Sequence, residues 1–317
     1  MTSNADAVVA DAVEKRFDRT IALAAVSFAI RAGELFGFVG PDGGGKTTLF
    51  RILVTVMLPD KGSARVLGRD VVRDLWALRP RIGYMPGRFS LYPDLSVAEN
   101  LEFFASVFGT TVERERANID PIYRQLEPFN DRRTAALSGG MKQKLALCCA
   151  LVHRPEILFL DEPTTGVDAV SRREFWDLLH SLKRSGMTIV VSTPYMDEAN
   201  RCDRIALIQR GRLLATDTPE RVAASFDRPL VAVRVADKYR ALHTLRELPH
   251  AQAVYPFGET VHLADARTGV SPNAVADEAR AFLGSRGFTD AVAEPAAPTI
   301  EDVFIARMGA PEGAGAP

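Results

Sequence analysis

The chain has 317 residues, 47% of them hydrophobic and 25% charged, with a formal net charge of −1. That length and mix fit one large or two smaller globular domains with a sizeable core. The near-neutral charge argues against bulk nucleic-acid binding, because the basic residues occur in small groups beside acids.

The start, MTSNADAVVADAVEKRF, carries acids and no basic n-region, so it does not read as a signal peptide. Its first seven residues are expected to be disordered. VVADAVEKRF and IALAAVSFAI alternate as strands do and predict a small antiparallel sheet. ELFGFVG then reads as a buried strand, followed by a glycine-rich turn and by KTTLFRILVTVM at helical spacing. The stretch from Gly87 to Leu137 is helical and polar. With the helix after it, this predicts an inserted helical subdomain over about 87–150. EILFLDEP and MTIVVST are further strands, and RIALIQRGRLLA is a hairpin turning at Gly211. Strands alternating with helices predict a parallel sheet covered on both faces.

A turn, a short helix and a linker occupy 219–229. Beyond them LVAVRVA, KYRALHTLREL, AQAVYPF, TVHLADA, AVADEARAFLGSRG and DAVAEP read strand–helix–strand–strand–helix–strand. That order suits a small two-layer α+β domain over 230–308. The remainder, 309–317, is low-complexity and expected to be disordered. No uncharged apolar run approaches the roughly 18 residues of a membrane span. Cys148, Cys149 and Cys202 have no metal-ligand spacing and read as reduced core residues. His250 and His262 look isolated, which argues against a metal site.

GPDGGGKTT, residues 40–48, fits G-x-x-x-x-G-K-[ST] after a strand and before a helix. Its glycines let backbone N–H groups converge on phosphate oxygens, and the helix start adds partial positive charge. Lys46 is placed to reach the β- and γ-phosphates and Thr47 to ligate Mg²⁺. ILFLDE is a buried strand ending in Asp161, a Mg²⁺ holder through water, and Glu162, a candidate general base for an attacking water. In LSGGMKQKL, Ser138 is a good N-cap. The doublet Gly139–Gly140 exceeds what a cap needs and suggests an anion at that helix end.

GPDGGGKTT, LSGGMKQKL, LFLDEPTTGVD and STPYMDEA resemble, in order, the motif set of ATP-binding cassette (ABC) ATPases. The resemblance covers about Val8 to Thr218. The end, PTIEDVFIARMG, resembles an accessory domain of some bacterial drug- and antibiotic-export ATPases. The fold implied is a P-loop NTPase cassette, 8–218, with an N-terminal antiparallel β subdomain and an inserted helical subdomain, plus a small C-terminal α+β domain. ATP and Mg²⁺ are implied, with Gly40, Pro41, Asp42, Gly43, Gly44, Gly45, Lys46, Thr47 and Thr48 around the phosphates and Glu162 as the catalytic residue. Two cassettes would pair head to tail, Ser138, Gly139 and Gly140 capping the partner's ATP and Asp168 contacting the partner. Separate transmembrane permease subunits are the implied motor targets. The implied place is cytoplasmic, peripheral on the inner face of the membrane. Phe17 has two readings, an adenine-stacking aromatic or a core residue.

Two positions depart from that pattern. Gly87 stands where the family has Gln, and Pro194 where it has the His that contacts the γ-phosphate. A smaller departure is Asp42 in place of Asn, which weakens phosphate binding unless its side chain turns outward. Two losses in one site predict ATP binding with slow hydrolysis, unless water or Arg88 substitutes. Tyr195 is expected to point away from the site. The alternatives are a regulatory subunit that binds ATP without useful turnover, and a soluble ABC ATPase of translation or repair.

Overall fold

The computed structural model describes residues 6–87 and 91–308. They fall into two compact units that divide between Pro219 and Glu220. Arg88 and the tail 309–317 lie outside the described residues. So do the first five of the seven N-terminal residues expected to be disordered. Asp6 and Ala7 already belong to the first strand.

In the first unit, β1 (Asp6–Phe17) and β2 (Thr20–Arg31) form an antiparallel pair. β3 (Leu35–Val39) leads into α1 (Lys46–Leu53). β4 (Lys61–Val66) and β5 (Arg69–Asp70) complete a four-stranded antiparallel sheet in the order β2-β1-β4-β5. The chain continues through α2 (Leu75–Leu78), β6 (Ile82–Met85) and three helices, α3 (Val97–Val107), α4 (Val112–Tyr123) and α5 (Gly139–Leu151). β7 (Ile157–Asp161), α6 (Ala169–Arg184), β8 (Thr188–Thr193), α7 (Met196–Ala199), β9 (Arg204–Gln209) and β10 (Arg212–Asp217) follow.

The second sheet runs β10-β9-β3-β8-β7-β6, parallel except for β10. β3, β7 and β8 are buried at every residue, as strands covered on both faces must be. A chain of aromatic rings fixes α1 behind this sheet. Phe28–Phe38 are 4.9 Å apart between centroids, Phe38–Phe50 6.0 Å and Phe50–Phe159 5.7 Å. These contacts join β2, β3, α1 and β7 into one core. The helix predicted through Met57 stops at Leu53. Thr55 has a φ of 64°, and the Val56 and Met57 N–H groups turn back to the Arg51 carbonyl at 2.8 and 2.9 Å. A positive φ is unfavourable for a β-branched residue such as Thr55, so the exit is held by these backbone bonds and the surrounding packing rather than by local propensity.

All three cysteines are buried with free thiols, and burial raises each thiol above its ordinary value. Cys202 lies over β3, where a Cβ on Gly37 would be 2.7 Å from its Sγ.

α8 (Pro219–Ala224) occupies part of the expected linker. The second unit has β11 (Leu230–Arg234), α9 (Lys238–Leu245), β12 (Ala251–Phe257), β13 (Thr260–Asp265), α10 (Pro272–Ser285), β14 (Val292–Pro295) and α11 (Ile300–Met308). Its sheet is antiparallel, β12-β13-β11-β14. Val233, Val261 and Leu263 pack with Leu245, Val275 and Leu283 of α9 and α10 in one cluster. His262 is not isolated. It is 4% exposed, its Nδ1 is 2.7 Å from Asp302 Oδ1, and Phe257 stacks on its ring. Tyr255 and Thr299 also donate to Asp302. Period-two alternation puts Tyr255 and His262 on one face of the sheet, but their shared acceptor on α11 is distant in sequence.

Candidate functional site

The loop between β3 and α1 is shaped by close backbone neighbours. A Cβ on Gly40 would lie 2.0 Å from the Ile208 carbonyl oxygen, and one on Gly45 2.6 Å from the Ala22 carbonyl oxygen. Gly45 also has a φ of 105° and N-caps α1, while Gly43, at 75°, faces open space. Only glycine takes such angles without strain. The hairpin turn of β9–β10 holds the loop from one side. Gly211 N–H donates to the Gly44 carbonyl at 2.9 Å, and the Gly211 carbonyl accepts from Ala24 N–H at 2.9 Å. Gly211 was visible in the sequence only as a hairpin turn.

Lys46 is 3% exposed, and its Nζ donates to the carbonyls of Gly40 at 2.7 Å and Pro41 at 3.0 Å. It also stands 3.2 Å from Glu162 Oε1. A cation is therefore held over the loop, opposite the carboxylates that end β7. Thr47 and Thr48, at the start of α1, are half-buried. Asp42 turns outward, with its side chain 88% exposed and 4.0 Å from Lys46. Phe17, at the end of β1, is 45% exposed, so it is not a core residue.

Asp161 is buried and accepts from Ser192 Oγ at 2.5 Å. Ser192 Oγ also accepts from the Glu162 N–H at 3.0 Å. Burial, and the nearby Asp161, push the Tyr84 hydroxyl on β6 up to about 12. Of the two departures from the family pattern, Gly87 lies against these groups and Pro194 adjoins the strand end that meets the phosphate loop. A Cβ on Gly87 would be 3.0 Å from the Asp161 carbonyl oxygen and 3.8 Å from Glu162 Cβ. A cavity of about 300 Å³ opens there, lined by Gly87, Glu162, Met85, Pro93 and Lys142 among others. Pro194 follows Thr193, whose carbonyl accepts the Gly40 N–H at 3.1 Å. Tyr195 turns aside, its ring 4.2 Å from the Arg172 guanidinium.

Ser138 N-caps α5, accepting from Met141 N–H at 3.3 Å, and is exposed together with Gly139. Gly140 is buried instead. A Cβ there would be 2.5 Å from Ser171 Oγ, so part of the doublet serves close packing of α5 on α6 within one chain. Asp168 N-caps α6, accepting from Val170 and Ser171 N–H groups at 3.1 and 3.0 Å. Those bonds hold its carboxyl below the usual range. Ser192, Thr164 and Glu198, all buried polar residues of this region, were not singled out in the sequence. The available signal was a polar Ser-Thr pair ending an otherwise apolar strand.

A family model described as ABC transporter matches residues 23–165. The chain is 44% identical over 222 residues to the probable multidrug ABC transporter ATP-binding protein YbhF of Escherichia coli (strain K12), covering 68% of this chain and 38% of that protein. It is 40% identical over 222 residues to the Nod factor export ATP-binding protein I of Paraburkholderia xenovorans (strain LB400), covering 69% of this chain and 73% of that protein. The dimeric ATP-binding cassette MJ0796, in a post-hydrolysis state bound to ADP and Pi, superposes with a TM-score of 0.60 at 26% identity, covering 67% of this chain and 98% of that one. The chain belongs to the ABC transporter family, and the matched residues 23–165 lie within its first unit. It spans 38% of the length of YbhF.

Proposed function

We propose that the chain is the ATP-binding and ATP-hydrolysing subunit of a multi-subunit exporter, with slow turnover. The observation that carries the slow-turnover reading is the position of Gly87 and Pro194. One abuts Asp161 and Glu162, and the other follows the residue on which the first amide of the phosphate loop rests. A glycine and a proline there supply no side-chain donor, and such positioning groups are each worth about 10²–10³ in rate.

The other site groups fit the triphosphate and its cation. The Gly40–Thr48 loop offers N–H groups and Lys46 to phosphate oxygens. Thr47 and Asp161 are oxygen donors suited to Mg²⁺, Asp161 acting through water. Bound Mg²⁺ would neutralise charge on the β- and γ-phosphates. Glu162 would orient and polarise the attacking water, once released from Lys46. The exposed Phe17 would stack on adenine. The exposed Ser138–Gly139 end of α5, with Gly140, would cap the nucleotide of a second cassette, and Asp168 would meet that partner. The dimeric relative supports this pairing.

Export is supported by the name of the Nod factor export relative, and transport by that of YbhF. Among the described residues no helix is long and apolar enough to cross a membrane; the proposed subunit would act with separate permease subunits from a peripheral place on the inner face of the cell membrane. The cassette would be 8–218 and the accessory domain 230–308. A second reading, an ATP-binding regulatory subunit without useful turnover, draws on the same two positions. Steady-state phosphate release beside a Glu162→Gln variant decides between them. Release slow but above the variant is the expected result. Release equal to the variant favours the regulatory subunit. Release as fast as a cassette carrying Gln and His refutes the slow site.

A further inference from the structure

Glu198 lies on the four-residue helix α7 and is 2% exposed, although Asp197 beside it faces solvent. A buried carboxylate is unfavourable unless its oxygens find donors. Here Oε1 accepts from Thr164 Oγ1 at 2.7 Å and Oε2 from Thr193 Oγ1 at 2.5 Å. Both hydroxyls are themselves buried, at 1% and 0% exposure. Arg172 Nε stands 3.7 Å from Oε1 and completes the neutralisation without a hydrogen bond.

The two threonines come from different segments of the site. Thr193 ends β8, seats the Gly40 N–H on its carbonyl, and precedes Pro194. Its hydroxyl also accepts from Tyr195 N–H at 3.1 Å, which turns the chain away from the strand. Thr164 lies two residues past Glu162, in a run folded back on itself. Thr165 N–H donates to the Glu162 carbonyl and Val167 N–H to the Thr164 carbonyl, both at 3.2 Å. That run ends at Asp168, the cap of α6. One carboxylate therefore bridges the strand end under the phosphate loop and the turn that carries Glu162.

An apolar residue packed between two valines would fill such a space at least as stably, since a buried charge is weak evidence for stability. A fully satisfied polar bridge instead holds one arrangement and excludes others. We propose that Glu198 is a positioning residue for hydrolysis. It keeps the Glu162 turn and the end of β8 in register where Gly87 and Pro194 provide no side-chain contact. The inference rests on the ATP-hydrolysis reading above.

The test is Glu198→Gln in the full chain. Glutamine keeps the size, but one of its two ends becomes a donor and the bridge can no longer accept from both hydroxyls. The expected result is a kcat lower by about tenfold, since misplacements near 1 Å can cost up to about 10². KM and trinitrophenyl-ATP affinity should stay within about twofold, because Glu198 makes no bond to the loop itself and Lys46 keeps its carbonyl partners Gly40 and Pro41. Thr164→Val should lower kcat similarly, and the double variant should fall no further than the lower single one. A lower melting temperature with unchanged kcat per folded molecule would overturn the proposal, as would additive losses in the double variant. If wild type turns over and Glu198→Gln matches it, only the positioning role fails. If wild type releases no more phosphate than Glu162→Gln, the hydrolysis reading fails and this role with it.

Discussion

Gly140→Ala places a methyl group 2.5 Å from Ser171 Oγ and 2.6 Å from Ser171 Cβ. Rotating the serine about χ1 moves only the oxygen. The Cβ stays, and carbon atoms pack best at about 3.5–4.0 Å. The helices α5 and α6 must therefore part by about 1 Å, a distance set by those contact radii. Overpacking of this kind costs about 1–3 kcal/mol, offset by up to about 1 kcal/mol from replacing glycine in a helix. With the full offset a net loss of up to about 2 kcal/mol is expected in the unfolding transition of the cassette, read by denaturant titration. Ser171→Gly in the same chain removes both opposing atoms. The double variant should recover most of the overpacking cost, giving a coupling term of about 1–2 kcal/mol. Gly139→Ala is the contrast. Its Cβ would approach only the Gly166 carbonyl oxygen, at 3.4 Å, so its midpoint should barely move and its effect should appear in phosphate release. Strictly additive effects of Gly140→Ala and Ser171→Gly would refute the claim that this glycine serves packing within its own chain.

Other expectations concern turnover and acid stability. Pro194→His should raise steady-state phosphate release by about tenfold, half or less of the barrier one such donor can supply. Gly87→Gln should help less, because its Cβ must first displace the Asp161 carbonyl from 3.0 Å. In the second unit, burial of Asp302 opposes its ionisation. The bonds from His262, Thr299 and Tyr255 outweigh that and hold the carboxyl below its ordinary 3.8. A lowered folded value means stability that is present above about pH 3.8 and lost as pH falls below it. Asp302→Asn should lower the melting temperature of this unit at neutral pH and flatten its dependence below pH 3.8 in thermal scans.

Much of the cassette was legible because its chemistry is local. A strand, a glycine-rich turn and Lys46 follow one another within a dozen residues, and the buried run ending in Asp161–Glu162 announces itself by hydrophobicity alone. The second unit was legible for a similar reason, since its alternating strands and amphipathic helices carry their own periods. The exit of α1 after Leu53 was not. Helical spacing continues to Met57 in the sequence, while the positive φ of Thr55 belongs to how the chain leaves the core.

What the sequence by itself determined was the class of protein, through motifs whose residues sit close together along the chain. It also determined the two departures, Gly87 and Pro194, since each is a residue type. Tertiary structure alone decided which groups meet across distant segments. Gly211 clamps Gly44, Ser192 holds Asp161, Ser171 fills the space beside Gly140, and Glu198 joins Thr164 to Thr193. Those pairings depend on parallel strand order, which places β8 between β3 and β7 although more than a hundred residues separate β3 from β7. Propensity and spacing act over a few residues, whereas such contacts arise only when the sheet is assembled.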